Sequence, residues 1–188
     1  MEEFSMFECA LEAAKDSRLE DLGNVSIVSH NTFEGRQTFR FRAKVPCLEY
    51  VSLMIENALL LRTHREGRVY VGFEKLSRMD YVAGRFLRIS DVSERVYVFG
   101  VADWKPPRHP NMGVIKLKPG SNLAREWFVI AHSNKYNAAL VAVDEDGFSA
   151  PVLDERNFRS FKSTDPEIVA RLAAAAEDLI DWSARTAS

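Results

Sequence analysis

Glu49, Ser52 and Glu56 recur at i, i+3 and i+7 inside an apolar run of this 188-residue chain. On a helix that spacing puts two carboxylates and a hydroxyl on one face, and paired acids can move protons there. The same face reads equally as the wet side of an amphipathic helix. Glu56 is the more distinctive acid, because it interrupts the run from Leu53 to Leu61. Cys47 follows Pro46 at the start of the same segment, where the helix dipole lowers a thiol pKa and can make a nucleophile. No base accompanies it locally, and a small buried residue is the plainer reading. Arg40, Arg42 and Lys44 line one face of a strand, with Arg36 just before it, as a grip for an anion or as a solvated, charge-protected edge. Phe73, Tyr81, Phe86, Tyr97, Phe99, Trp104, Trp127 and Phe128 sit on or beside strand ends, where rings build either pockets or cores.

Other chemistries are excluded or disfavoured. The chain has neither GxGxxG nor GxxxxGK[ST], so neither standard phosphate loop is present. The four histidines, His30, His64, His109 and His132, form no HxH or HxxxH pair, and no metal set is read from them. Cys9 and Cys47 make no CxxC and no disulfide framework. A net charge of −2 argues against a nucleic-acid binder, and a composition 46% hydrophobic and 28% charged argues against disorder. No apolar run reaches the roughly 18 residues of a spanning helix. The opening MEEFSMFECALEAAK has no basic-then-apolar leader. The expectation is a cytoplasmic protein without a membrane or direct nucleic-acid partner, and no cofactor is named by the residues.

The elements that must position these groups follow from periodicity. Residues 6–15 read as a helix with Ser5 as N-cap, and 25–28 as a short buried strand. Phe39, Phe41, Ala43 and Val45 alternate with Thr38, Arg40, Arg42 and Lys44, which predicts a strand stopped by Pro46. A helix over 46–64 carries Leu48, Val51, Ile55, Ala58 and Leu59 on its apolar stripe and ends before Gly67. Strands are predicted at 69–73, 95–101, 114–117, 126–132, 138–143 and 157–162. Residues 77–91 form a less regular stretch with one or two helical turns. Thr164 and Glu167 have capping-box spacing before a closing helix that buries Ile168, Val169, Leu172, Ala176, Leu179 and Ile180. The pattern predicts an α/β or α+β fold, a mixed central sheet of about five to seven strands with packed helices, one of them long and C-terminal.

Seven segments in order carry a resemblance: 46–57 (PCLEYVSLMIEN), 69–74 (VYVGFE), 79–81 (MDY), 85–89 (RFLRI), 96–100 (VYVFG), 126–129 (EWFV) and 156–161 (RNFRSF). Together the chain resembles the DICT sensory domain, named for its occurrence with diguanylate cyclases and two-component systems. The resemblance implies a division into residues 1–24, an N-terminal helix and linker, and 25–188, a DICT-like sensory domain. It implies a non-catalytic bacterial or archaeal module that responds to a small ligand or an environmental, light-related signal. Matching the family's pattern assigns ligand binding to Glu56, Arg85, Trp127, Arg156 and Phe158. Without a recognisable cyclase, kinase or helix-turn-helix output, such a sensor signals to an output protein in trans or through a homodimer. Two rivals stay open: a small hydrolase using Cys47 or a carboxylate pair, and a structural interaction protein whose aromatics are only core. Glu56 with either arginine also reads as a structural ion pair between helix and sheet.

Overall fold

The computed structural model describes residues 3–26 and 30–186. Its elements in chain order are α1 (Met6–Ala13), β1 (Glu20–Asn24), α2 (His30–Phe33), β2 (Thr38–Lys44), α3 (Val45–Leu60) and β3 (Arg68–Lys75). A 3-10 segment (Leu76–Val82) leads into α4 (Ala83–Val92), followed by β4 (Arg95–Val101), β5 (Met112–Leu117), β6 (Glu126–His132), β7 (Asn137–Asp144), β8 (Asn157–Ser163) and α5 (Pro166–Thr186). The strands form one mixed sheet in the order β1-β2-β8-β7-β6-β3-β4-β5. Its middle, from β2 to β3, is antiparallel, while β1–β2, β3–β4 and β4–β5 pair in parallel. The α+β class, the mixed sheet and the long C-terminal helix are as the periodicity predicts; the sheet among the described residues has eight strands.

Strand alternation divides the interior into two cores, one on each face. Val69, Val71, Val129 and Leu140 pack with Leu48, Val51 and Ile55 of α3 and with Phe86 and Ile89 of α4. Tyr70, Phe128, Ile130 and Val141 pack on the opposite face with Met6, Phe7 and Ala10 of α1 and with Val169, Leu172 and Ala176 of α5. Residues 1–24, set apart in the sequence, thus contribute α1 to the second core and β1 to the sheet. Gly72 pairs with Phe128 across β3 and β6, and a Cβ there would lie 2.2 Å from that ring. Only glycine lets the phenyl group lie flat against the strand.

Several local expectations are corrected. β1 runs over Glu20–Asn24 rather than 25–28: Val25 and Ser26 are not strand, and Ile27 and Val28 lie outside the described residues. The α3 helix stops at Leu60 rather than 64, and in the turn beyond it Arg62 donates to the Glu66 carbonyl at 2.9 Å. The stretch after β3 holds more helix than one or two turns. Leu76, Met79, Phe86 and Ile89 bury one side of the 3-10 segment and α4. Asp165, not Thr164, caps α5, accepting from Glu167 N at 2.9 Å and Ile168 N at 3.3 Å. Thr164 instead bonds β2's neighbour, its amide donating to the Gln37 carbonyl at 2.8 Å. With Pro166 as the first helical residue, the preceding residue is the natural cap.

Candidate functional site

The α3 helix crosses the sheet so that Glu49, Ser52, Leu53 and Glu56 face the segment formed by the 3-10 turn and α4. Between them lies a cavity of about 890 Å³. Val71 and Phe73 of β3 and Trp127 and Val129 of β6 line it from the sheet. Phe86 stands edge-on to Phe73 at 5.4 Å, closing one wall. Tyr81, 94% exposed, lies at its mouth. The volume is in the range of small-molecule sites, and the mixture of rings with a few polar groups is typical of them.

The predicted wet side of α3 is only partly wet. Glu49 is exposed, but Ser52 and Glu56 are 3% and 4% exposed, covered by the α4 segment. Arg85 Nη1 donates to Glu56 Oε2 at 2.6 Å, tying α4 to α3 rather than helix to sheet. Burial pushes the Glu56 carboxyl above its ordinary range, and Arg85 opposes that rise. Ser52 lines the cavity, but its hydroxyl is buried beneath the wall with no hydrogen-bond partner among the described residues. A helical serine ordinarily satisfies itself by bonding back to the preceding turn. An orphaned hydroxyl buried beside a cavity is therefore informative.

A second polar centre closes one end. β3 bulges after Gly72, where its register against β4 shifts, and Glu74 adopts φ 61°. It is the one non-glycine residue with positive φ among those described, a conformation that strains a side-chain-bearing residue. The bulge turns Glu74 toward Arg156, whose guanidinium contacts its two oxygens at 3.0 and 3.2 Å. Arg156 also donates to Asp144 Oδ2 at 2.6 Å and to the Leu153 carbonyl at 3.2 Å. All three charged residues are buried. The Phe148 ring packs 4.4 Å from the guanidinium, and Phe158 5.1 Å from it. Burial raises the Glu74 carboxyl above its ordinary value, with Arg156 and then Arg78 holding it back.

Of the five residues singled out in the sequence, Glu56, Arg85 and Trp127 line the cavity. Arg156 and Phe158 lie behind it: Arg156 reaches it through Glu74 and Phe148, and Phe158 stands edge-on to Trp127 at 6.3 Å. Sequence reasoning did not single out Glu74, Arg78, Asp144 or Phe148. An acid at the end of a largely apolar strand run, Glu74 next to last in β3 and Asp144 last in β7, was the available signal. The basic strand face is spent on acids. Arg36 pairs with Glu20, Arg40 with Asp21 at 2.8 Å, Arg42 with Glu145 at 2.5 Å and Lys44 with Glu155. Cys47 packs in the α3 core, and burial pushes its thiol up to about 11. Among the described residues, no group of three or more His, Cys, Asp or Glu is placed to hold a metal ion.

Comparison with known proteins adds a family and a fold. The family model described as DICT, a sensory domain in diguanylate cyclases and two-component systems, matches residues 45–145. That span runs from the first residue of α3 past the last of β7 and includes most of the cavity lining. No curated protein sequence matches the chain. Among solved structures it is similar to the polyphosphate kinase of Porphyromonas gingivalis, with 16% identity and a TM-score of 0.50. That match covers 78% of this chain and 24% of the kinase chain. TrmBL2, an archaeal chromatin protein, matches with 8% identity and a TM-score of 0.49, over 81% of this chain and 54% of its own. This chain thus spans about a quarter of the first protein and about half of the second, and the likeness to the kinase is one of fold alone.

Proposed function

The chain belongs to the DICT family of sensory domains, and from that premise we propose that it binds a small ligand in the cavity between α3, α4, β3 and β6. Occupancy of the cavity is the signal, passed without a reaction to an output protein in trans or through a second copy of the chain. A light-related input would enter the same way, through a chromophore seated there. Glu56, Arg85 and Trp127 would touch the ligand, while Arg156 and Phe158 hold Glu74, Phe148 and Trp127 in place behind it. The observation that carries the reading is the cavity itself, of ligand size and walled by Phe73, Phe86 and Trp127, with the unpartnered Ser52 hydroxyl buried beside it. Leaving such a group unmade costs about 1–3 kcal/mol, and a bound ligand offsets that cost.

The state of the reactive groups speaks against catalysis. Glu56 and Glu74 are each held by an arginine, and the Cys47 thiol is packed in apolar surroundings, far from nucleophilic at neutral pH. A cytoplasmic location belongs to the same proposal, since both cysteines are free thiols.

Thermal shift against fractionated extracts of the native host tests the reading, run in parallel on the wild type and Ser52→Ala. The empty variant should melt at or above the wild-type temperature, because an unsatisfied hydroxyl has been removed. A fraction that stabilises the wild type should stabilise the variant less. If no fraction stabilises the wild type, or both proteins respond alike, the cavity is not the ligand site.

A further inference from the structure

The lining of the cavity carries a sign. Six of its side chains are acidic: Glu49, Glu56, Glu74, Asp80, Asp103 and Asp154. Three are basic, Lys75, Arg78 and Arg85, and each already faces another group. Arg85 is held by Glu56 at 2.6 Å. Arg78 lies 3.6 Å from Glu74. The Lys75 ammonium sits over the Phe148 ring, 4.3 Å from its centroid. Glu49, Asp80 and Asp154 have no ion pair among the described residues. Arg156, behind the wall, is matched by Asp144 and adds no net positive field. An incoming anion would meet three carboxylates without an ion pair against one such cation, Lys75, which already sits over a ring, so its desolvation would go poorly rewarded.

The walls make a second selection. Phe73, Phe86 and Trp127 present ring faces and edges that suit a flat apolar body, and Trp127 and Tyr81 can accept a cation against their faces. Ser52, one helical turn before Glu56, lines the same region and carries a buried hydroxyl without a partner, which a turn of its side chain would bring to a ligand. Resting on the ligand-binding reading above, we infer that the ligand is a planar nitrogen-bearing aromatic that donates hydrogen bonds and is neutral or positively charged. Nucleoside phosphates and cyclic dinucleotides, with their obligatory negative charge, are outside this class. Ser52 takes or gives a hydrogen bond to the polar end of the ligand. The rings enclose its flat part, and the acids around the mouth favour the cation over the anion.

A size-matched series isolates charge: tryptamine as the cation, indole as the neutral body and indole-3-acetate as the anion. Affinities are measured by isothermal titration calorimetry and by protein NMR shifts at low ionic strength and again with added salt. Tryptamine should bind at least tenfold more tightly than indole-3-acetate, with indole between them, and salt should narrow the gap. Ser52→Ala should weaken tryptamine. Asp80→Asn, at an exposed position on the rim, should reduce the cation preference without disturbing the fold. Equal or tighter binding of indole-3-acetate in the cavity overturns the inferred class while leaving ligand binding intact. If none of the three binds at millimolar concentration, the class is overturned too, and the cavity reading is decided by the extract screen.

Discussion

Arg156 is heavily committed, to Glu74, Asp144 and the Leu153 carbonyl, and removing it has a calculable consequence. Arg156→Met keeps much of the stem and loses the guanidinium. Glu74 and Asp144, both buried, would then face each other without their cation. Breaking a buried pair from one side costs roughly 3–5 kcal/mol, because the remaining charge is uncompensated. The loss of the Phe148 and Phe158 contacts to the guanidinium adds a smaller amount. The deficit should also depend on pH in a defined direction. Burial already lifts Glu74 above its ordinary 4.5, and Arg156 is the first group holding it down. In the variant the folded state therefore keeps the Glu74 proton to higher pH than the unfolded state does. Stability is fully present below about 4.5 and is lost as pH rises through the elevated folded value. Urea unfolding of wild type and variant at pH 5 and pH 8 should show a larger gap at pH 8. A cost below about 1 kcal/mol, or a gap that does not change with pH, would refute the idea that this cluster is a closed ionic unit.

Other outcomes follow from single contacts. Glu126 is buried, accepts from Met6 N at 2.8 Å, Phe7 N at 3.3 Å and the Ser5 hydroxyl, and is pushed by burial up to about 7. Its protonated form is the one the fold prefers, so stability should fall by about 3 kcal/mol between pH 4.5 and 7 and level off above. Glu126→Gln should flatten that part of the stability profile relative to wild type, and parallel profiles would contradict it. The Cys47 thiol, pushed from 9.0 to about 11, should react with a thiol reagent at pH 7 about 100-fold more slowly than a free cysteine. Rapid labelling of Cys47 in the folded protein would revive the hydrolase reading. Gly72→Ala drives a methyl group into the buried Phe128 ring and should cost at least 1–3 kcal/mol in urea unfolding; an unchanged midpoint would mean that the ring moves freely.

Legibility of the fold in the sequence tracked local pattern. β2 showed itself through strict alternation, and β4 and β6 occupy 95–101 and 126–132 as read, because dense Val, Tyr and Phe runs have one favourable outcome. β1 was invisible: Glu-Asp-Leu-Gly-Asn has no apolar face, and its pairing rests on the ladder to β2 and the Arg40–Asp21 ion pair. The α5 cap lies one residue later than the spacing suggests because Thr164 and Asp165 both fit a cap, and Gln37, just before β2, claims the threonine. For the site, the helix spacing exposed Ser52 and Glu56, and the family resemblance supplied Arg85, Trp127, Arg156 and Phe158. Glu74, Asp144 and Phe148 meet Arg156 only after β3, β7 and β8 take their places in the sheet and β3 bulges. Neither the strand order nor the bulge leaves a trace in local spacing.

The claim on which the account rests is that a ligand enters the cavity beside Trp127. NMR of the indole N–H groups tests it directly, during titration with tryptamine or with a stabilising extract fraction. Trp127 lines the cavity, whereas Trp182 lies on α5 across the sheet. The Trp127 resonance should shift saturably while that of Trp182 stays fixed. Stabilisation of the protein with Trp127 unmoved, or with Trp182 moving in its place, would put the ligand elsewhere and contradict the account.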